Sequence, residues 1–92
     1  MTIVRITFNS TGCSGTVTVN AHSARWASSK AGNITVTGHL PLITKAQVTD
    51  AVRRAGNERM GPVEAAIKQH GYCSREHYAA LGALRDTFDI VI

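Results

Sequence analysis

Ala21–Gly32, AHSARWASSKAG, decides how the N-terminal half of this chain folds: regular segments flank it, and it holds the only tryptophan, Trp26, between Arg25 and Lys30. Two readings are open. Either a strand continues to about Ser28, with His22, Ala24 and Trp26 on one face and Ser23, Arg25 and Ala27 on the other, or the chain leaves the sheet in a basic loop. In the first reading Lys30–Asn33, KAGN, is the next turn. Register then settles the role of Trp26. Unbroken parity from the preceding strand puts it on a threonine face with Thr16, Thr18 and Asn20, whereas one bulge near Asn20 moves it to the core face.

The flanking segments are easier to read. Thr2–Asn9 alternates, with Val4, Ile6 and Phe8 opposite Ile3, Arg5 and Thr7, the period of a half-buried strand. Ser10–Gly15, STGCSG, is a turn cluster, and Gly15–Asn20 alternates again with Val17 and Val19 opposite Thr16 and Thr18. A phosphate-binding loop would lead from a strand into a helix, but this one leads into another strand, so Gly12 and Gly15 read as hairpin glycines. Asn33–His39 places Ile34 and Val36 opposite Thr35 and Thr37 and gives the third strand.

Pro41 ends the β region. Thr44-x-x-Gln47 is a capping box that opens a helix with Val48, Ala51, Val52 and Ala55 inward, and Gly56 is expected to close it. Asn57–Gly61 reads as a connection. Pro62 and Glu64 then begin a second helix with Val63, Ala66 and Ile67 inward and Gly71 as its C-terminal cap. Ser74 caps a third helix, in which Tyr78, Leu81, Leu84, Arg85 and Phe88 recur at helical spacing, and Asp89–Ile92, DIVI, is a terminal strand. Strands followed by helices predict a single α+β domain over residues 1–92: a three- to four-stranded antiparallel sheet with two to three helices packed on one face, the threonine-rich face with Arg5 left open.

Composition agrees with one modest core: 92 residues, 43% of them hydrophobic and five aromatic. The formal charge is +4, and its distribution carries more information than its size. Residues 1–49 contain Arg5, Arg25, Lys30 and Lys45 and no carboxylate, whereas residues 50–92 balance six cations against six carboxylates. An acid-free basic region attracts phosphate or acidic protein surface within about a Debye length, roughly 8 Å at physiological salt. No apolar run approaches the roughly 18 residues of a membrane span, and MTIVRITFNS lacks the features of a secretion signal, so a cytoplasmic protein is expected. Cys13 and Cys73 lie far apart without a CxxC pairing and read as free thiols.

Three chemistries match parts of the sequence. His70-x-x-Cys73-x-x-x-His77 has three zinc-type ligands but no fourth at family spacing, so neither a metal nor another cofactor is expected. Cys73 ahead of a helix, near His70 and His77, meets part of a nucleophile's requirements without an orienting third group, and the chain is not expected to be an enzyme. As a helix-turn-helix, Val63–Arg85 would put His70 and His77 where apolar residues belong. What remains is the acid-free half. Arg5, Arg25 and Lys30 could contact phosphates while Trp26 stacks on a base, with Arg53 and Arg54 of the first helix assisting; the competing reading makes Trp26 core filler and the cations isolated.

In format the chain resembles small phage-encoded anti-CRISPR proteins, in particular inhibitors of type I-F CRISPR surveillance complexes: about ninety residues, a basic β meander over residues 2–37, short helices over residues 44–88, and no enzymatic motif. That group shares no signature, so no residue role transfers by motif. The resemblance implies a stoichiometric inhibitor, acting in the cytoplasm of an infected bacterial host cell, that docks on Cas protein subunits and obstructs target DNA. Several members of the group are acidic DNA mimics. This basic chain would instead touch guide RNA backbone or acidic Cas surface. A small phage or bacterial nucleic-acid-binding accessory protein is the alternative.

Overall fold

The computed structural model describes residues 2–92, ordered as β1 (Ile3–Phe8), β2 (Ser14–Val19), β3 (His22–Ser28), β4 (Ile34–Thr37), α1 (Lys45–His70), α2 (Arg75–Gly82) and β5 (Thr87–Val91). The strands form one antiparallel sheet in the order β4-β3-β2-β1-β5. The α+β class is as expected, with five strands rather than three or four. The additional strand is β3. Residues 22–28 do not prolong β2 but return along it, with Val19 opposite His22, Val17 opposite Ala24 and Gly15 opposite Trp26.

Asn20 and Ala21 make that reversal. Asn20 takes a left-handed backbone (φ 55°), which asparagine tolerates better than most residues. Because directly opposed residues share a face, a two-residue turn shifts side-chain parity by one. Ala24 and Trp26 therefore join Val17 and Val19 on the buried face, and no bulge is required. Trp26 is 3% exposed, its ring lies edge-on to Phe8 at 5.2 Å, and its Nε1 donates to the Thr7 carbonyl at 3.0 Å. Gly15 makes room for it: a Cβ there would stand 1.7 Å from the Thr7 oxygen and 2.9 Å from Trp26 Nε1.

Helix α1 covers this face. Thr44 and Gln47 form the expected capping box, and Val48, Ala51, Val52 and Ala55 pack on Val4, Ile6, Val17, Val19 and the rest of the core. The helix does not stop at Gly56, however. It runs through Asn57–Gly61 and Pro62 to His70, so the two expected helices are one. Tertiary contacts carry it past these weak positions: Val63 is buried beyond the proline, and the Arg59 guanidinium sits over the Phe8 ring at 5.2 Å while its Nε donates to the Arg85 carbonyl at 3.2 Å.

At 1.5 Å per residue a 26-residue helix is about 39 Å long, roughly twice the width of a five-stranded sheet at about 4.8 Å per strand. Consistent with that excess, no residue of α1 after Val63 is buried, and the molecule measures 44 × 28 × 18 Å. Helix α2 folds back on this last part of α1, capped by Ser74, whose Oγ accepts from His77 N–H at 3.1 Å. It contains no buried residue.

The expected third helix ends at Gly82, and Leu84, Arg85 and Phe88 lie outside it. Phe88 belongs to β5, opposite Ile6, and stacks edge-on with Phe8 at 5.8 Å. The returning strand starts at Thr87, two residues earlier than the terminal DIVI implied. Among the described residues no helix is long and apolar enough to cross a membrane.

Candidate functional site

The open face of the sheet is built by the alternate residues of each strand. Arg25 stands on β3, one strand in from the β4 edge, opposite Thr16 on β2 and Thr37 on β4. Ser14, Thr16, Arg25, Ala27, Thr35 and Thr37 line a shallow depression of about 410 Å³ around it. Among the described residues Arg25 has no carboxylate partner, so its guanidinium keeps its full set of donors beside a row of hydroxyls. Part of that row is internally bonded, since Thr7 and Thr16 share a hydroxyl–hydroxyl hydrogen bond and Thr18 bonds Ser23 at 3.1 Å. Lys30 is exposed in the turn from Ser29 to Asn33, which closes through Ser29 N–H to the Asn33 carbonyl at 2.9 Å.

Arg5 lies on the same face but is not free. Its Nε donates to Asp89 Oδ1 at 3.0 Å, from the directly opposed position on β5. That hydrogen bond outweighs an opposing desolvation effect and, helped by the Arg5 and Arg85 charges, holds the Asp89 carboxyl below its usual range, and the same contact raises Arg5. The N-terminal half is free of carboxylates in sequence, but the fold brings one to it. Trp26 has its ring in the core and offers no face to a partner.

Arg53 and Arg54 stand apart from these residues, on α1, which covers the other face of the sheet. Arg54 Nη1 donates to the Val91 carbonyl at 3.0 Å and lies 3.7 Å from Asp50, so it closes part of the free edge of β5. Arg53 is exposed and has no carboxylate partner among the described residues. Of the six residues singled out from the sequence, the fold therefore gathers Arg5 and Arg25 on one face with Lys30 in an adjoining turn. It buries Trp26 and leaves Arg53 and Arg54 in the helical layer.

The His70–His77 segment forms the tip where α1 turns into α2. Gly71 and Cys73 take positive φ, 87° and 60°, and the turn is held by Ser74 Oγ donating to the Gly71 carbonyl at 2.9 Å. His77 Nδ1 accepts from the Cys73 backbone N–H at 3.0 Å, so that nitrogen is turned toward an amide rather than the thiol. The Tyr78 hydroxyl is raised from its ordinary value, first by its hydrogen bond to the Cys73 side chain and then by desolvation. Among the described residues no group of three or more His, Cys, Asp or Glu side chains is placed to hold a metal ion.

Two features had no signal in the sequence. Arg59, only 12% exposed and 3.8 Å from Asp86, acts as an internal brace between α1 and the start of β5. Tyr72 and Tyr78, 78% and 58% exposed, move the accessible aromatic surface from Trp26 to the helical tip. No family model matches the chain, and neither a curated protein nor a solved structure matches it.

Proposed function

We propose that this chain is a non-enzymatic binding protein that engages a phosphodiester backbone through the open sheet face around Arg25. The observation that carries this reading is an exposed guanidinium, without a carboxylate partner among the described residues, set among the hydroxyls of Ser14, Thr16, Thr35 and Thr37. Arginine offers forked donors to phosphate oxygens, and serine and threonine hydroxyls are common auxiliary phosphate contacts. Lys30 adds a second cation from the adjoining turn. Such contacts position a nucleic acid without reading its sequence, which suits recognition of a guide RNA whatever its spacer.

The likeness in format to type I-F anti-CRISPR proteins extends the proposal to a target. The chain is a stoichiometric inhibitor that seats on the ribonucleoprotein, touches guide RNA backbone and Cas protein subunits, and obstructs target DNA. That extension is supported by the format alone, whereas the backbone contact is supported by the surface chemistry.

The test is a pull-down against a purified type I-F complex at physiological salt, with and without target DNA, using the native chain and Arg25→Ala. Retention of the native chain, exclusion of DNA, and loss of retention in the variant support the full reading. Absence of association with the complex rejects the inhibitor. Salt-dependent binding to free RNA with no preference for the complex favours an accessory nucleic-acid-binding protein.

A further inference from the structure

The α1–α2 tip is the second accessible feature of the molecule, and its chemistry differs from that of the sheet. Tyr78 stacks on His77 with centroids 5.6 Å apart and planes 18° from parallel, and Tyr72 stands edge-on to His77 at 5.8 Å. Tyr78 and Leu81, the latter 40% exposed, are three residues apart and so share one side of α2, with Arg75 one turn before Tyr78. Lys68 and His70 lie in the last turn of α1, and His70 approaches Glu76 at 3.9 Å. The tip is thus a short aromatic stack in which Tyr78, packed on His77, remains 58% exposed, with Arg75 and Glu76 on the same helix and Lys68 in the last turn of α1.

We infer that the Tyr72–His77–Tyr78 cluster is a stacking platform for unpaired bases of a single-stranded nucleic acid, whose adjoining phosphates lie toward Arg75 and Lys68. This deepens the reading of the sheet face and rests on the partner being a nucleic acid. Area argues against a second copy as the occupant. With roughly 150–250 Å² per aromatic side chain, the exposed parts of Tyr72, Tyr78 and Leu81 amount to on the order of 350 Å². Two such faces bury about 700 Å², below the roughly 1,200 Å² of a stable protein interface. The same area suits one or two bases, because every base presents a π face and stacking needs no wide complementary surface.

The experiment is fluorescence anisotropy with a labelled, unstructured RNA of about 16 nucleotides, and with the same RNA in a duplex, a length at the upper end of single-strand site sizes. Native chain, Tyr72→Ala, Tyr78→Ala, Tyr72→Phe, Tyr78→Phe and Arg25→Ala are compared, with circular dichroism confirming their fold. The inference predicts preference for the single strand. Each alanine change should weaken that binding by roughly 5- to 100-fold, while the phenylalanine changes, which keep the ring, leave it within about twofold. Equal affinity for the duplex, or alanine variants that bind as the native chain does, overturns the platform. If Arg25→Ala weakens binding and the tyrosine changes do not, the platform fails and the sheet-face reading stands; the reverse pattern keeps the platform and rejects the sheet face. A dimer in sedimentation that Tyr72→Ala dissolves overturns the platform in favour of self-association.

Discussion

Replacing Trp26 with alanine tests the register of β3, on which the separation of core from open face depends. The side chain is 3% exposed, contacts Phe8 edge-on, and satisfies the Thr7 carbonyl through Nε1 at 3.0 Å. Burial of roughly 200 Å² at about 25 cal/mol per Å² corresponds to about 5 kcal/mol of transfer free energy, and truncations of buried Trp or Phe cost about 3–5 kcal/mol. A domain of this size has about 5–14 kcal/mol in total, so the change removes a large share of its stability. The assay is urea unfolding followed by far-ultraviolet circular dichroism, since the variant has no tryptophan to report. With a urea m-value of about 1–2 kcal/mol per M, the midpoint should fall by about 1.5–5 M. A loss under about 1 kcal/mol would refute the reasoning, because only an exposed or loosely packed ring can be deleted so cheaply.

Gly15→Ala should unfold the chain or leave it expanded, since the added Cβ meets the Thr7 backbone oxygen at 1.7 Å; a variant with native melting behaviour would contradict the Gly15–Trp26 pairing. Arg59→Ala removes the cation over Phe8 and the tie to the Arg85 carbonyl, and should cost about 1–3 kcal/mol in urea unfolding with increased amide exchange in α1 beyond Pro62. Asp89 has a lowered folded-state pKa, so its pairing stabilises the protein above the ordinary carboxylate pKa of about 3.9 and is lost as pH falls through the folded value. The native chain should therefore exceed Asp89→Asn in urea midpoint near neutrality, with the gap closing in strong acid. A gap that persists below about pH 2 would assign the difference to something other than ionisation.

What the sequence made legible was local. The alternation of β1, β2 and β4, the Thr44–Gln47 capping box, the Ser74 cap and the Gly71 stop each depend on residues within a few positions of one another, and each is present. Other features depended on partners remote in the chain. Gly56 and Pro62 are proper helix-ending signals, but Arg59's contacts on β1 and the β5 approach, with the burial of Val63, outweigh them. Phe88 fits a helical period and a strand about equally well, and only pairing with β1 decides for the strand, which leaves Leu84 and Arg85 in the connection from α2. Trp26 changes face with the length of one turn, which parity counting left open.

The candidate site suffered in the same way. The basic character of residues 1–49 was visible, but the Arg5–Asp89 contact spans 84 positions, and Arg54 is drawn to the β5 edge from 37 positions away. Arg25 has no carboxylate beside it because its opposed neighbours on β2 and β4, Thr16 and Thr37, bear hydroxyls. Helical spacing marks Tyr78 in the sequence and nothing marks Tyr72; both are exposed at the tip where α1 turns into α2.

The most direct test of the backbone contact is the salt dependence of RNA binding by the native chain and Arg25→Ala, measured as the slope of log affinity against log salt. Losing one phosphate contact on a single strand lowers the slope magnitude by about 0.7, with the variant's urea midpoint unchanged because an exposed side chain contributes within about 0.5 kcal/mol. Identical slopes and affinities for the two proteins would show that the Arg25 face does not touch the backbone.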